Sequence, residues 1–191
     1  MKLLLHCCCA PCTAPLVENL LKKQLFQREQ LVLYYFNPNI QPIEEYQQRL
    51  DSMKQIADFY QLALIIPDYQ SEKWFKEIQQ SLPRPPVSYL ENSERCSVCF
   101  QIRLRSTVQY AQQHHFDYFS STLSVSLYKN VSVIKQIGQE LTKQYKINFY
   151  QFSVNPQDAK QRSIVLSHQL GLHRQKYCGC LFSLSKKNKV R

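Results

Sequence analysis

The chain has 191 residues, 44% of them hydrophobic and 12% aromatic, and 24 Lys and Arg against 14 Asp and Glu give it a formal charge of +10. That length builds a proper core without disulfides, and no apolar run approaches the roughly 20 residues needed to cross a bilayer. With only Gly138, Gly171 and Gly179, dinucleotide fingerprints and phosphate loops are excluded too.

Leu3-Leu4-Leu5 is too short for a signal peptide, so the reading places the chain in the cytoplasm, without a membrane. There thiols stay reduced, and eight cysteines read as ligands or catalysts rather than staples. The basic charge attracts polyanions, nucleic acid first among them.

The first predicted strand is Lys2 to His6, and it runs into His6-Cys7-Cys8-Cys9-Ala10-Pro11-Cys12. A helix is predicted from about Ala14 to Gln27, with Thr13 as its N-cap and Pro15 in its first turn. Its N-terminal partial charge then favours thiolates in the turn. A second strand, Leu31 to Phe36, ends in the rigid Asn37-Pro38-Asn39-Ile40-Gln41-Pro42 loop. Ile43, Tyr46, Leu50, Met53, Ile56 and Tyr60 give a helix, and Leu62 to Ile66 a third strand.

Trp74, Phe75 and Ile78 mark a short helix, followed by a proline-broken excursion near 82–96. Cys96-Ser97-Val98-Cys99 opens a helix running to about His114. Tyr118 to Ser121 is the fourth strand, and Thr122 to Ser126 a hydroxyl-rich turn. A helix over Val131 to Tyr145, a fifth strand over Ile147 to Phe152 and a last helix over Ser163 to Leu170 lead to Tyr177-Cys178-Gly179-Cys180 and a basic tail at 186–191. This alternation predicts an α/β chain, a three-layer sandwich with a Rossmann-like parallel sheet, folded as a single domain over 1–191. Ligands of such sheets collect at the carboxyl ends of the strands, where the thiol turn, Asn37 and Thr122 all fall.

The thiols leave three chemistries open. Two close pairs from separate segments suit a structural zinc ion or a [4Fe–4S] cluster, and Cys9-Ala10-Pro11-Cys12 at a helix start suits a thioredoxin-like dithiol oxidoreductase. Cys178-Gly179-Cys180 can close a small, easily reduced ring, which suits electron transfer. A zinc-stabilised RNA-binding module stands as the non-enzymatic alternative.

One set of motifs resembles a known family. His6 to Cys12; Phe36-Asn37-Pro38-Asn39-Ile40 with Glu45-Tyr46 and Arg49; Arg95 to Phe100 with Arg103-Leu104; Thr122 to Ser126 with Lys129-Asn130; and Arg174 to Cys180 look, in that order, like the epoxyqueuosine reductases of the QueH type. The resemblance implies an adenine-nucleotide α-hydrolase-like fold and an oxidoreductase acting in queuosine biosynthesis. Such an enzyme reduces the epoxide of epoxyqueuosine at the tRNA wobble position, the last step of that synthesis.

By motif, Cys8, Cys9, Cys96 and Cys99 would hold a [4Fe–4S] cluster, Cys12 would join a second mononuclear metal ion, and Cys178 and Cys180 would be the redox-active pair, able to form a disulfide. The partners implied are tRNA and an unidentified electron donor. Tyr46, Tyr128 and Tyr177 are stacking candidates for the substrate base. Arg49, Arg103, Lys129, Arg162, Arg174 and the tail are candidates for phosphates, and Asn37 and Asn39 for the pocket. Two positions depart from the family pattern: Cys7, read as a buried bystander, and Gln151, which stands where relatives carry an acid.

Overall fold

The computed structural model describes residues 1–187, so the end of the basic tail, 188–191, lies outside the described residues, and side chains are described to residue 184. β1 (Leu3–His6), β2 (Leu31–Tyr34), β3 (Leu64–Ile65), β4 (Tyr118–Ser121) and β5 (Asn148–Phe149) form an all-parallel sheet in the order β3-β2-β1-β4-β5. β1 is the central strand, its Leu3 to His6 paired residue by residue with Leu31 to Tyr34 on one side and with Tyr118 to Ser121 on the other. Leu4 and Leu5 are fully buried, as a strand covered on both faces requires.

Alternation along the strands feeds two cores. Leu3, Leu5, Leu31 and Leu33 pack beneath α1 (Ala10–Lys22), α2 (Ile43–Tyr60) and α6 (Pro156–Gln169). Leu4, Tyr34 and Phe119 pack beneath α3 (Ser71–Gln80), α4 (Glu94–Gln113) and α5 (Val131–Tyr145). The result is the helix–sheet–helix sandwich anticipated from the alternating pattern. Between α3 and α4 the predicted excursion is a connecting segment with a single 3₁₀ turn at Pro86–Ser88.

Several boundaries differ from the sequence reading: β2, β3 and β5 are shorter than predicted, and α1 ends at Lys22 rather than Gln27. α1 starts at Ala10, not Ala14, with an extended Cys9 (φ −170°) at its N-cap and Pro11 inside the first turn. Thr13 is therefore not the cap. It lies buried within the helix, its hydroxyl donating to the Cys9 carbonyl at 2.8 Å, and Pro15 sits in the interior, where it removes an internal hydrogen bond. α6 begins at Pro156, seven residues before the predicted Ser163, because the Asn155 side chain caps Gln157 N–H and proline follows at the first helical position. Last, Leu181–Lys187 folds as a further helix, α7, which the sequence reading did not predict and which runs into the start of the expected tail at 186–191.

Candidate thiol centre and redox loop

β1 hands its last residue directly to the thiol turn at the switch point of the sheet, where connections leave to β2 on one side while β4 lies on the other. His6 is fully buried there. Its Nδ1 lies 2.7 Å from Ser121 Oγ and its Nε2 3.1 Å from the Phe36 carbonyl. Burial, then the Arg103 charge, hold its pKa down at about 3, so the ring is neutral.

Cys7 turns back into the core with Ala10 and Ala14, donates to the Leu5 carbonyl, and burial pushes its thiol well up. Cys8 faces the opposite way, towards β4. Thr122 Oγ1 accepts from the Cys8 N–H at 3.1 Å and donates to the Cys8 sulfur at 3.2 Å.

The Sγ atoms of Cys8, Cys9 and Cys12 lie within 4.8 Å of one another, and Cys8 and Cys9 are 3.7 Å apart. Thiolates around a tetrahedral ion with bonds of about 2.3 Å sit about 3.8 Å apart, so this group can hold a metal ion. One helical turn of α1 produces the convergence, since Cys9 caps the helix and Cys12 is its third residue. Cys8 is held well below the ordinary thiol range, first by hydrogen bonds from Cys12 and Cys9 and, against burial, by the Arg103 guanidinium and Thr122. Donating those bonds, together with burial, raises Cys12 well above it. The Cys12 bond favours a Cys9 thiolate, but the bond Cys9 gives Cys8, and burial, push Cys9 up to about 12. The Gln175 amide closes the group from above, its Nε2 2.9 Å from Cys9 Sγ.

Cys96 and Cys99 sit in the first turns of α4, 7% and 8% exposed, and burial raises both thiols, Cys99 to about 12. They face Cys178 and Cys180 rather than joining the tight Cys8 group, and the charge of each loop thiol weighs on Cys99. Arg103, two turns along α4 from Cys96 and one from Cys99, is 3% exposed, and its charge favours the ionised forms of both Cys99 and Cys8. It thereby links the two thiol pairs.

The Cys178-Gly179-Cys180 loop is fixed from outside. Gly179 has φ +117°, and a Cβ there would stand 2.9 Å from Ile40 Cγ1 and 3.2 Å from Arg49 Nη1, so only glycine fits. Gln41 N–H donates to the Gly179 carbonyl at 2.8 Å, and the Tyr177 hydroxyl donates to the Gln41 carbonyl. Arg49 donates to the Cys178 and Tyr177 carbonyls at 3.2 and 3.1 Å while Glu45 pairs with it at 2.7 Å. Beyond the loop, Phe182 of α7 packs with Trp74 and Phe75. All eight cysteines are free thiols, so Cys178 and Cys180 stand here as a dithiol and the expected disulfide is not present. Lys129 approaches from the β4–α5 side. Burial opposes its charge, but Cys178 and Glu91, 2.7 Å away, outweigh this and raise its pKa.

A thiophilic metal group fits this donor set. Beside the cysteines, Arg95 is 2% exposed with its Nη2 unpartnered, and no carboxylate among the described residues pairs with Arg95 or Arg103. Negative charge supplied by thiolates is what this corner lacks when the thiols are protonated.

Comparison with known proteins agrees with the geometry. The family model described as Epoxyqueuosine reductase QueH matches residues 3–186. The chain belongs to the epoxyqueuosine reductase QueH family. A Haemophilus influenzae protein named epoxyqueuosine reductase QueH is 31% identical over the whole chain, which covers 74% of that protein. An Acinetobacter baylyi protein of the same name is 31% identical over the whole chain and 84% of its own length. One from Thermotoga maritima is 32% identical over 95% of this chain and 89% of its own. Membership of the QueH family makes the chain an oxidoreductase, and no helix among the described residues is long and apolar enough to cross a membrane.

Several residues suggested by sequence serve the fold rather than an open surface. Tyr46 is 5% exposed and its ring is enclosed by Tyr35 and Tyr69, which closes it to an incoming base. Arg49 and Arg103 are both 3% exposed and cannot reach a phosphate in solvent. Asn37 and Asn39 are buried in the loop beside the thiols, Asn37 donating to the Cys7 carbonyl and accepting from Arg103. Arg162 is paired with Glu18 on the α1–α6 surface. Tyr128 and Arg174 are exposed, and Tyr177 is half-buried. Gln151 is exposed at the rim of a surface hollow with Asn19 and Lys23, away from the thiols.

Sequence reasoning missed Gln175 and Gln41. The first could have been suspected from its place beside the C-x-C motif, whereas the second acts through its backbone and carries no side-chain signal.

Proposed function

We propose that this protein reduces epoxyqueuosine to queuosine at the wobble position of tRNA, in the cytoplasm, as one reductase domain. The observation that carries this reading is the meeting of the thiol turn, the α4 pair and the C-G-C dithiol at the switch point of a chain belonging to the QueH family. Cys8, Cys9, Cys96 and Cys99 would hold a [4Fe–4S] cluster, a reading supported by Arg103 favouring thiolates in both pairs. The tight triad supports a second, mononuclear ion with Cys12 as a ligand. When bound, a cluster supplies single electrons and a Lewis-acidic iron.

The chain's own residues account for the overall balance. Removing the epoxide oxygen as water and leaving the alkene requires two electrons and two protons. Oxidation of the Cys178 and Cys180 dithiol to a disulfide yields both, and an external donor then restores the dithiol. Arg49, Gln41 and Gly179 hold that pair in place, and Lys129 presents a protonated amine beside Cys178, where the departing oxygen needs a proton.

For the substrate, the exposed Tyr128 offers a stacking face at the mouth of the site, with Lys160 5.8 Å from its ring centroid and Arg174 available to phosphates. Half-buried Tyr177 lines the inner wall.

The test is mass analysis of nucleosides from epoxyqueuosine-containing tRNA incubated with reconstituted protein and a strong reductant. Loss of one oxygen from the modified nucleoside is expected, and unchanged tRNA with colourless, zinc-loaded protein would sink the reading. Cys178→Ser should keep bound iron yet lose turnover under a physiological dithiol reductant.

A further inference from the structure

Arginines in this fold come in two kinds. Arg49, Arg105 and Arg162 each meet a carboxylate, at 2.7, 2.5 and 2.6 Å respectively. Arg103, as buried as Arg49, meets none among the described residues. Its Nη2 donates to Asn37 Oδ1 at 2.6 Å and its Nε lies 3.4 Å from the His6 ring. Neither partner is an anion. A guanidinium taken out of water loses its hydration, and two contacts to groups that are not anions do not replace it in full.

The anions within its field are the thiolates. Cys99 precedes Arg103 by one turn on the same face of α4, and Cys8 lies across from it at the end of β1, so Arg103 stands between the two segments that would share a metal group. A divalent ion held by four thiolates gives the centre two net negative charges, and a fixed cation at that place stabilises it.

We propose that Arg103 is the counter-cation of the thiolate centre, a positioning residue that acts through Cys8 and Cys99 and sets the affinity of the centre for metal. The inference rests on the thiols forming a metal centre, but not on which metal occupies it or on the tRNA substrate.

Cobalt(II) is the probe, titrated into reduced, metal-free protein and followed by its thiolate charge-transfer absorption. Arg103→Gln, which can still donate to Asn37 but carries no charge, should weaken cobalt binding by about 10- to 100-fold. Arg103→Lys should stay within about threefold of the native protein, since it keeps the charge. Asn37→Asp is the second variant: it leaves Arg103 in place but sets a competing carboxylate against Nη2, and it should weaken cobalt binding too.

Native affinity in Arg103→Gln or in folded Asn37→Asp overturns the proposal. So does a loss in Arg103→Lys equal to that in Arg103→Gln, which would assign the effect to hydrogen-bond geometry. Absence of the charge-transfer band in native protein would overturn the metal-centre reading itself, and this inference with it. Thermal unfolding of the metal-free forms separates the two roles: a merely structural Arg103 lowers the midpoint of Arg103→Gln and leaves its cobalt affinity unchanged.

Discussion

The thiol turn and the C-G-C loop both present cysteines to the same corner, but they are held there by opposite means. The turn is local: Cys8, Cys9 and Cys12 lie within one strand end and one helical turn, and they bond to one another. The loop is held almost wholly from outside, by Arg49, Gln41 and the Gly179 backbone, across more than a hundred residues of chain. Local order suits a ligand set whose spacing must match a metal. Remote anchoring would suit the redox role proposed for Cys178 and Cys180.

Substitutions should separate the two. Cys8→Ser removes the thiol that accepts from both Cys9 and Cys12, so metal content and turnover should fall by at least about 100-fold, with the apo fold intact by circular dichroism. Full iron in that variant would break the comparison. Arg49→Met should do the reverse. It leaves half-buried Glu45 with His173 alone and frees two carbonyls, so urea unfolding should show a loss of about 2 kcal/mol, while metal binding at the turn is kept. Gly179→Ala forces a side chain into a left-handed backbone beside Ile40, and should cost about 1–2 kcal/mol and slow turnover without loss of metal.

The smallest effect lies remote from both regions. Arg162 holds the Glu18 carboxyl down at about 2 from its ordinary 4.5, so the stability it contributes is present above pH 4.5 and is lost as pH falls towards 2. Glu18→Gln should flatten that acid limb in pH-dependent unfolding and leave neutral activity unchanged.

Much of this was legible in the chain. Apolar runs and helical spacing of apolar residues pointed to the strands and most helices, and the α/β alternation to the sandwich. Cysteine spacing pointed at the centre because close pairs of cysteines are typical of metal ligation and redox chemistry. What failed was local competition. Pro15 drew the start of α1 four residues late, although Pro11 is the proline in the first turn. The polar first half of α6 hid its start from a periodicity argument, despite the Asn155-Pro156 signal.

Burial of charged side chains was equally hidden. Arg49 and Arg103 look like surface groups on amphipathic helices, and only the folded-back loop and the thiols show why they turn inward. Helical spacing did hold one clue: Cys96, Cys99 and Arg103 fall on a single stripe of α4.

The central position of β1 also decides how the corner opens. Its ladder is bonded on both sides, and the Cys7 and Cys8 amides continue it to Tyr34 and Thr122. Amides wired into a central strand exchange with solvent only when the sheet itself comes apart, whereas a loop anchored by the Arg49 side chain, the Gln41 backbone and the Tyr177 hydroxyl can open without the sheet. The floor formed by the thiol turn thus shares the lifetime of the whole fold, and breathing is confined to the C-G-C loop.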